Sequence, residues 1–399
     1  LIAQSIDFSA SSQLRQDLAG WRRNALIAAG VGLGASAIGA VVATDQFFKS
    51  YLWSYMFVVA LSLGSLMWLM LQYLSGGAWG MVIRRPAEAA TRLIPLVALL
   101  FIPIAFGIHH IYEWSHPAEV AKSELLKHRS TYLNPAFFIG RAVIYFGGWA
   151  LLSWLLNRKS AEQDRTGAST DQLKTSHISA PGLIFWAFSV TFMAIDWVMS
   201  TNPHWFSTMY GLLFIAGQAL TSMAFLITAL VLMSRREPFS RVLTPRHLHD
   251  LGKFTLAFVM VWAYFSFSQF LIIWAGNLPE EIPWYLTRMQ GGWGVLALVL
   301  VVGHFALPFA LLLSRDLKRN FKLLSRICVF ILAMRLVDLF WVAAPDMHHG
   351  HFAPSWLDLT LPLGLIGLWL FLFFSQLEKR PLMPVGDPGL EEALQHGRE

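Results

Sequence analysis

The stretch YLWSYMFVVALSLGSLMWLMLQYLS, residues 51–75, contains no Asp, Glu, Lys or Arg. About 20 consecutive apolar residues cross the hydrocarbon core of a bilayer as a helix, so this segment reads as a membrane span. Runs of the same kind recur along the chain. Taking each as one crossing predicts helices near 25–43, 51–75, 93–114, 133–156 and 181–201, then 208–233, 251–276, 292–314, 327–344 and 355–378. The expected fold class is an all-α polytopic membrane protein of about ten transmembrane helices. Composition agrees, since the 399 residues are 56% hydrophobic and 14% charged, against roughly 25% charged in an ordinary soluble domain. Seventeen Trp and thirty Phe suit bilayer interfaces and helix contacts in lipid.

Net charge is +6, but the basic residues lie in short loops between apolar runs. They set orientation there, and no nucleic-acid partner is expected. Of the thirty Lys and Arg, 23 fall in the N-terminus, alternate loops and C-terminus, with Lys253 at the start of its span counted with the loop before it, five fall in the intervening loops, and Arg141 and Arg335 lie inside spans. The positive-inside rule puts both termini in the cytoplasm. The apolar run after Arg22 and Arg23 has the flanks of a signal peptide, but its length and the nine spans that follow make it a retained first helix. A single cysteine, Cys328, excludes an internal disulfide, a Cys-ligated iron-sulfur cluster, a thiolate zinc site and covalent haem attachment. If the protein works on electrons, partner subunits carry them.

A short internal repeat divides the chain. Ile195-Asp196-Trp197 is followed by Pro203-His204-Trp205, and Val337-Asp338-Leu339 by Pro354-Ser355-Trp356. Four helices separate the two copies, which suggests two related four-helix bundles, spans 2–5 and 6–9, with spans 1 and 10 peripheral. Such an even offset makes the repeat parallel. The expected parts are 1–50, N-terminus and first helix; 51–201, first bundle; 202–344, second bundle; 345–380, outer loop and tenth helix; and 381–399, a loosely ordered cytoplasmic tail. Residues 157–180, polar and rich in Ser and Thr, form the clearest linker.

An ionisable side chain at bilayer depth costs about 2.5–3.5 kcal/mol or more unless it is paired or hydrated. With a rise of 1.5 Å per residue, Asp196 lies roughly 8 Å inside the outer edge of the core and Arg141 roughly 12 Å inside it, so they are expected to pair. His109 and Glu113, spaced i and i+4, are expected on one face of the third helix at the same level. Arg335 and Asp338, spaced i and i+3, are expected to pair near the middle of the ninth helix. His304 lies at a similar depth on the eighth, and Tyr264, Ser266, Ser268 and Gln269 extend a polar path outward. Two polar routes for protons are one reading, and neutralised pairs that only fix helix register are the other. Asp346, His348, His349 and His351 read as a solvated outer loop and not as a metal site, and His247 and His249 as interfacial residues. A haem held between His109 or His110 and His304 is excluded by depth. The glycines at 30, 32, 34, 147 and 148 permit close helix approach.

The segment from Asp196 through Trp205, Asp-Trp-Val-Met-Ser-Thr-Asn-Pro-His-Trp, continuing to Ser207-Thr208-Met209-Tyr210-Gly211, resembles the ActF-type subunits of bacterial alternative complex III. These are respiratory quinol:cytochrome c or quinol:acceptor oxidoreductases, within the wider NrfD and polysulfide-reductase-anchor group. Length, ten-span layout, cytoplasmic termini and two bundles of four extend the resemblance over nearly the whole chain. It implies a bacterial inner membrane and several partners: a multihaem cytochrome c subunit, an iron-sulfur subunit, a second ten-span NrfD-like subunit, smaller membrane anchors and, in some assemblies, a terminal oxidase. Haem c and iron-sulfur clusters would then reside in those partners, with menaquinone or ubiquinone as the substrate pool. The resemblance implies proton half-channels in this subunit, with Asp196 matched directly and Arg141, His109, Glu113, Asp338, Arg335, His304 and Tyr264 placed by depth and chemistry. A quinol-binding anchor using His109, Asp196 and Arg141, a secondary transporter and a non-conducting scaffold are the competing expectations.

Overall fold

The computed structural model describes residues 7–170 and 172–396. Among them ten helices are long and apolar enough to cross a membrane: span 1 Ser12–Val42, span 2 Thr44–Ser75, span 3 Ala78–Phe106, span 4 Pro135–Thr166, span 5 Thr175–Thr201, span 6 Tyr210–Met233, span 7 Pro245–Gly276, span 8 Gly291–Leu313, span 9 Phe321–Met347 and span 10 Leu357–Leu377. The protein is thus an all-α, multi-pass membrane protein. Several helices are longer than their apolar cores. At 1.5 Å per residue the 32-residue spans 2, 4 and 7 reach about 48 Å, so their polar ends stand beyond the hydrocarbon. Span 4 runs on to Thr166 and span 5 begins at Thr175, which shortens the expected linker at both ends.

Span 2 is buried along almost its whole length, with spans 3, 5, 6, 9 and 10 packed around it. Aromatic side chains with one polar atom fasten this centre, because an indole or phenol buries a large apolar body while its N–H or O–H still needs a partner. Trp68 on span 2 donates to the Ala219 carbonyl at 3.0 Å, Trp186 to Leu63 at 3.0 Å, Trp369 to the Ser62 hydroxyl at 2.9 Å and Tyr55 to Val97 at 2.9 Å. Packing partners run in the same order in the two halves: span 2 touches 3 and 5, span 4 touches 3 and 5, span 6 touches 7 and 9, and span 8 touches 7 and 9. The repeated Pro-x-Trp does not play one role in both, since Trp205 is buried and Trp356 is half exposed.

Span 3 is corrected by the structure. It begins at Ala78 and ends at Phe106, in pieces Ala78–Thr91, Ile94–Leu99 and Ile102–Phe106, instead of running from 93 to 114. Pro95 and Pro103 stand at the second residues of the later pieces, where a proline lacks the N–H and crowds the preceding turn. Arg84, Arg85 and Glu88, expected in a loop, are buried because each finds an ionic or hydrogen-bonding partner.

The tail differs too. Leu382, Met383, Leu390, Ala393 and Leu394 are buried, and a helix forms at Gly389–His396. The Leu382 N–H donates to the Phe8 carbonyl at 2.8 Å, so both ends of the described chain lie on one face, called here the terminal face. Residues 397–399 lie outside the described residues.

Span 1 joins the rest mainly through span 10. A Cβ added at Gly32 meets the Gly364 backbone nitrogen at 2.3 Å, whereas Gly30 and Gly34 have nothing within 4 Å. Gly32 therefore makes the close approach. Gly32→Val is expected to push the two helices apart and lower the thermal unfolding midpoint in detergent, with overpacking costing about 1–3 kcal/mol. Gly30→Val is expected to leave it unchanged, and scanning fluorimetry on both variants checks the contrast.

Candidate functional site

Burying a charge in lipid is tolerated only with a counter-charge and satisfied hydrogen bonds, so the buried ionic side chains mark where the fold has spent stability. Among the described residues the buried ion pairs form four groups.

The first lies near the ends of spans 4 and 5 that are opposite the terminal face. Arg141 Nε donates to Asp196 Oδ2 at 2.8 Å, and the Tyr145 hydroxyl donates to the same oxygen at 2.8 Å. Asp196 is fully buried. The outer loop closes the pair off: Arg141 Nη1 donates to the Tyr132 carbonyl at 3.0 Å, and its guanidinium sits 3.8 Å from the Tyr132 ring centre. Burial, with Asp196 close by, holds the Tyr132 phenol above its ordinary range, so it remains protonated. Asp196 Oδ1 and Arg141 Nη2 have no hydrogen-bond partner among the described residues. Arg141 follows Pro135 by about 9 Å of helix, so the pair sits nearer the rim than the sequence suggested.

A second group lies at the terminal end of the same bundle and was not foreseen. Arg85 donates to Glu88 at 2.8 Å and to the Ser160 hydroxyl at 2.8 Å, and it pairs with Asp164. Ser160 donates to Glu88 at 2.6 Å. Beside it Arg84 donates to Gln72 at 3.1 Å, to Gln163 at 3.2 Å and to Asp387 of the tail at 2.5 Å. The i, i+3 spacing of Arg85 and Glu88 was visible in the sequence. The segment that carries it reads as a loop between spans, where such spacing has no helical meaning.

Span 4 links these two groups. Arg141, Tyr145, Trp149, Ser153 and Asn157 recur every four residues, each beside the next in a stripe that winds along the helix, and all but Arg141 are buried. Asn157 donates to the Thr91 hydroxyl at 3.0 Å, Ser153 to the Thr91 carbonyl at 2.9 Å and Trp149 to the Ser189 hydroxyl at 2.8 Å. Ser153 and Tyr145, eight residues apart, are separated by about 12 Å, a gap occupied by Trp149. Two polar arms therefore approach one buried indole.

In the second bundle Arg335 pairs with Asp338, as the spacing predicts, and its Nε donates to the Thr221 hydroxyl at 3.2 Å. The Trp262 indole lies against Asp338. His304 packs edge-on to Trp262 with ring centres 4.2 Å apart, and neither ring nitrogen has a hydrogen-bond partner among the described residues. It lies in a seven-residue π-helical segment, Leu300–Ala306. Tyr264 is 66% exposed and lines, farther out, the open cavity that Arg335 and Asp338 also line. Gln269 turns inward instead, accepting from Ser207 at 3.0 Å and donating to Tyr285 at 3.3 Å.

A fourth pair, Arg288 with Asp346, is buried beneath the outer loops, with Asn202 donating to Asp346 at 3.2 Å. That occupies the acid of the Asp346, His348, His349, His351 set. Arg288 escapes sequence reasoning because it falls between the predicted spans; it sits on the short helix Pro283–Met289.

His109 and Glu113 are not on one helix face. The chain leaves the short helix Ile108–Ile111 through an extended Tyr112 before the turn Glu113–Ser115. They line instead an outer polar basin of about 500 Å³ together with Asp45, His110, His204 and Asp346. His109 Nδ1 lies 3.1 Å from the Ser115 hydroxyl, and Glu113 lies 3.6 Å from His204.

Fold and clusters together define a class, a multi-pass helical membrane protein with paired charges buried in each half. No protein-family model matches the chain, and no curated protein matches it.

Proposed function

We propose that this chain is a proton-conducting membrane subunit of a respiratory quinol-oxidising complex of the alternative complex III type, in a bacterial inner membrane with both termini cytoplasmic. The observation that carries the proton-conducting part is the stripe along span 4. It joins Glu88 at the terminal face to Asp196 near the opposite face through hydroxyl and amide side chains interrupted by one tryptophan. Carboxylates, hydroxyls and a buried histidine are the groups from which membrane proton relays are built. In this reading Glu88, Ser160, Asn157 and Ser153 form the cytoplasmic arm. Asp196 with Tyr145 and Arg141 forms the outer arm, opening toward the basin that His109 and Glu113 line. The Arg335 and Asp338 pair with His304 offers the equivalent centre in the second bundle.

Assignment to a respiratory complex is supported by the Asp196–Gly211 motif and by a sequence without Cys ligands, which leaves electron transfer to haem c and iron-sulfur partner subunits. Menaquinol or ubiquinol is the reductant in this reading. The test is gentle purification through a tag on this chain, followed by an optical spectrum and mass spectrometry of co-purifying subunits. Stoichiometric c-type haem with a large iron-sulfur subunit is the expected result, and a lone colourless protein overturns it. In the assembled complex, Asp196→Asn is expected to lower proton-coupled turnover at least about tenfold, equivalent to about 1.4 kcal/mol on the limiting step, while assembly persists. Unchanged coupling in reconstituted vesicles would remove the relay role.

A further inference from the structure

Span 3 carries a seam that the proton reading does not use. Arg92, Pro95, Leu99, Ile102 and Phe106 recur at steps of three and four residues, so they follow one side of the segment. Pro95, Leu99, Ile102 and Phe106 are exposed, and that side therefore faces lipid. Span 3 packs against both span 4 and span 10. Arg92 stands at the terminal end of the seam, where its Nη2 donates to the Gln376 carbonyl at 3.0 Å in the last turn of span 10. Span 10, with 21 residues, is about 31 Å long, the thickness of one hydrocarbon core. The half-buried guanidinium thus lies at the hydrocarbon boundary, within reach of lipid phosphates.

Its neighbours are cationic. Lys379 belongs to the same turn, its N–H donating to the Gln376 carbonyl at 3.3 Å. Arg380 Nη1 donates to the Asn157 carbonyl at 3.1 Å, which brings the end of span 10 beside span 4. There Arg158, next in sequence, holds its guanidinium 5.2 Å from the ring centre of Trp154. Trp154 is half exposed, as an indole at the membrane interface is. The acids at this level are already engaged: Glu88 with Arg85 and Arg380, Glu378 with Arg22, and Glu162 with Lys159. Among the described residues Arg92, Arg158 and Lys379 form no ion pair, and Arg92 Nε is buried without a hydrogen-bond partner.

We infer that this seam binds an anionic phospholipid from the leaflet on the terminal side. The phosphate is held by Arg92 with Arg158 and Lys379, and one acyl chain lies along Leu99, Ile102 and Phe106. Basic pockets between membrane helices recognise acidic headgroups by this chemistry. A zwitterionic headgroup brings its own cation, which three unpaired cations repel. The track from Arg92 to Phe106 is about 21 Å of helix, longer than the roughly 15 Å depth of one leaflet. The inference depends neither on the respiratory assignment nor on which side of the membrane the terminal face occupies.

The full chain, delipidated in a mild detergent, is titrated with palmitoyl-oleoyl phosphatidylglycerol, and bound lipid is counted by native mass spectrometry. One tightly bound molecule per chain is expected, held at least about tenfold more tightly than phosphatidylcholine with the same chains. Arg92→Gln, and separately Arg158→Gln combined with Lys379→Gln, are each expected to reduce that preference at least about fivefold. Arg158 and Lys379 are exposed, so the double variant reports on binding even if Arg92→Gln disturbs folding. Arg315→Gln, an exposed position between spans 8 and 9, is expected to change nothing. Equal affinity for the two lipids, or a preference that Arg315→Gln lowers as much as the double variant does, overturns the site. Displacement by inorganic phosphate or by chainless glycerophosphoglycerol at equal concentration overturns the lipid assignment in favour of a free anion.

Discussion

Asp338→Leu is expected to give a protein that is made but does not survive detergent extraction as a monodisperse species, whereas Arg335→Leu combined with Asp338→Leu is expected to survive it. The single change leaves a guanidinium buried beside Thr221 with no counter-charge, and breaking a buried pair from one side costs about 3–5 kcal/mol. Removing both partners deletes the desolvation cost together with the attraction, and such double replacements are commonly neutral or stabilising by about 1–4 kcal/mol. Size-exclusion profiles and thermal midpoints of the two variants make the comparison. The double variant also separates roles. If the pair only holds helices in register, coupled turnover returns with folding; if Asp338 carries protons or meets a ligand, folding returns and turnover does not.

The second large effect is expected at the terminal face. Arg85→Leu strips the cation from Glu88 and Asp164 together and leaves Ser160 with one partner fewer. Arg380 lies 3.7 Å from Glu88 and compensates in part, so the loss is expected near the lower end of the range of about 3–5 kcal/mol. Arg85→Lys keeps the charge but loses the planar fork that reaches two acids and a hydroxyl at once. It is therefore expected to recover about half of that loss. Unfolding midpoints in one detergent, read for both variants, give the ordering. Lys equal to Leu would show that geometry and not charge is what Arg85 supplies.

Span number and the two central ion pairs were legible because both depend on local pattern: long apolar runs, and charges that stand out inside them. Arg335 and Asp338 needed only helical spacing. Arg141 and Asp196 needed only matched depths, although the pair lies closer to the rim than the apolar boundaries indicated. The illegible parts are those where a charge outside the apolar runs is buried, because nothing in the local pattern marks it. Arg84 meets Asp387, and Arg288 meets Asp346; from sequence each of these arginines reads as loop. That same habit moved span 3 by about four turns. His109 and Glu113 were misjudged because helical spacing was extended across Tyr112, where the backbone is extended.

The contact between span 1 and span 10 sets an order of events during synthesis. Span 1 ends at Val42 and its partner begins at Leu357, so more than three hundred residues must be made after the first helix enters the bilayer and before its glycine face is covered. At about 5–20 residues per second, that interval is on the order of a quarter of a minute to a minute. Through it the face of span 1 that meets span 10 stays open to lipid, which its long apolar core permits. Span 10 then closes onto span 1, so a nascent chain halted before residue 357 keeps an open seam for whatever insertase or chaperone accompanies it.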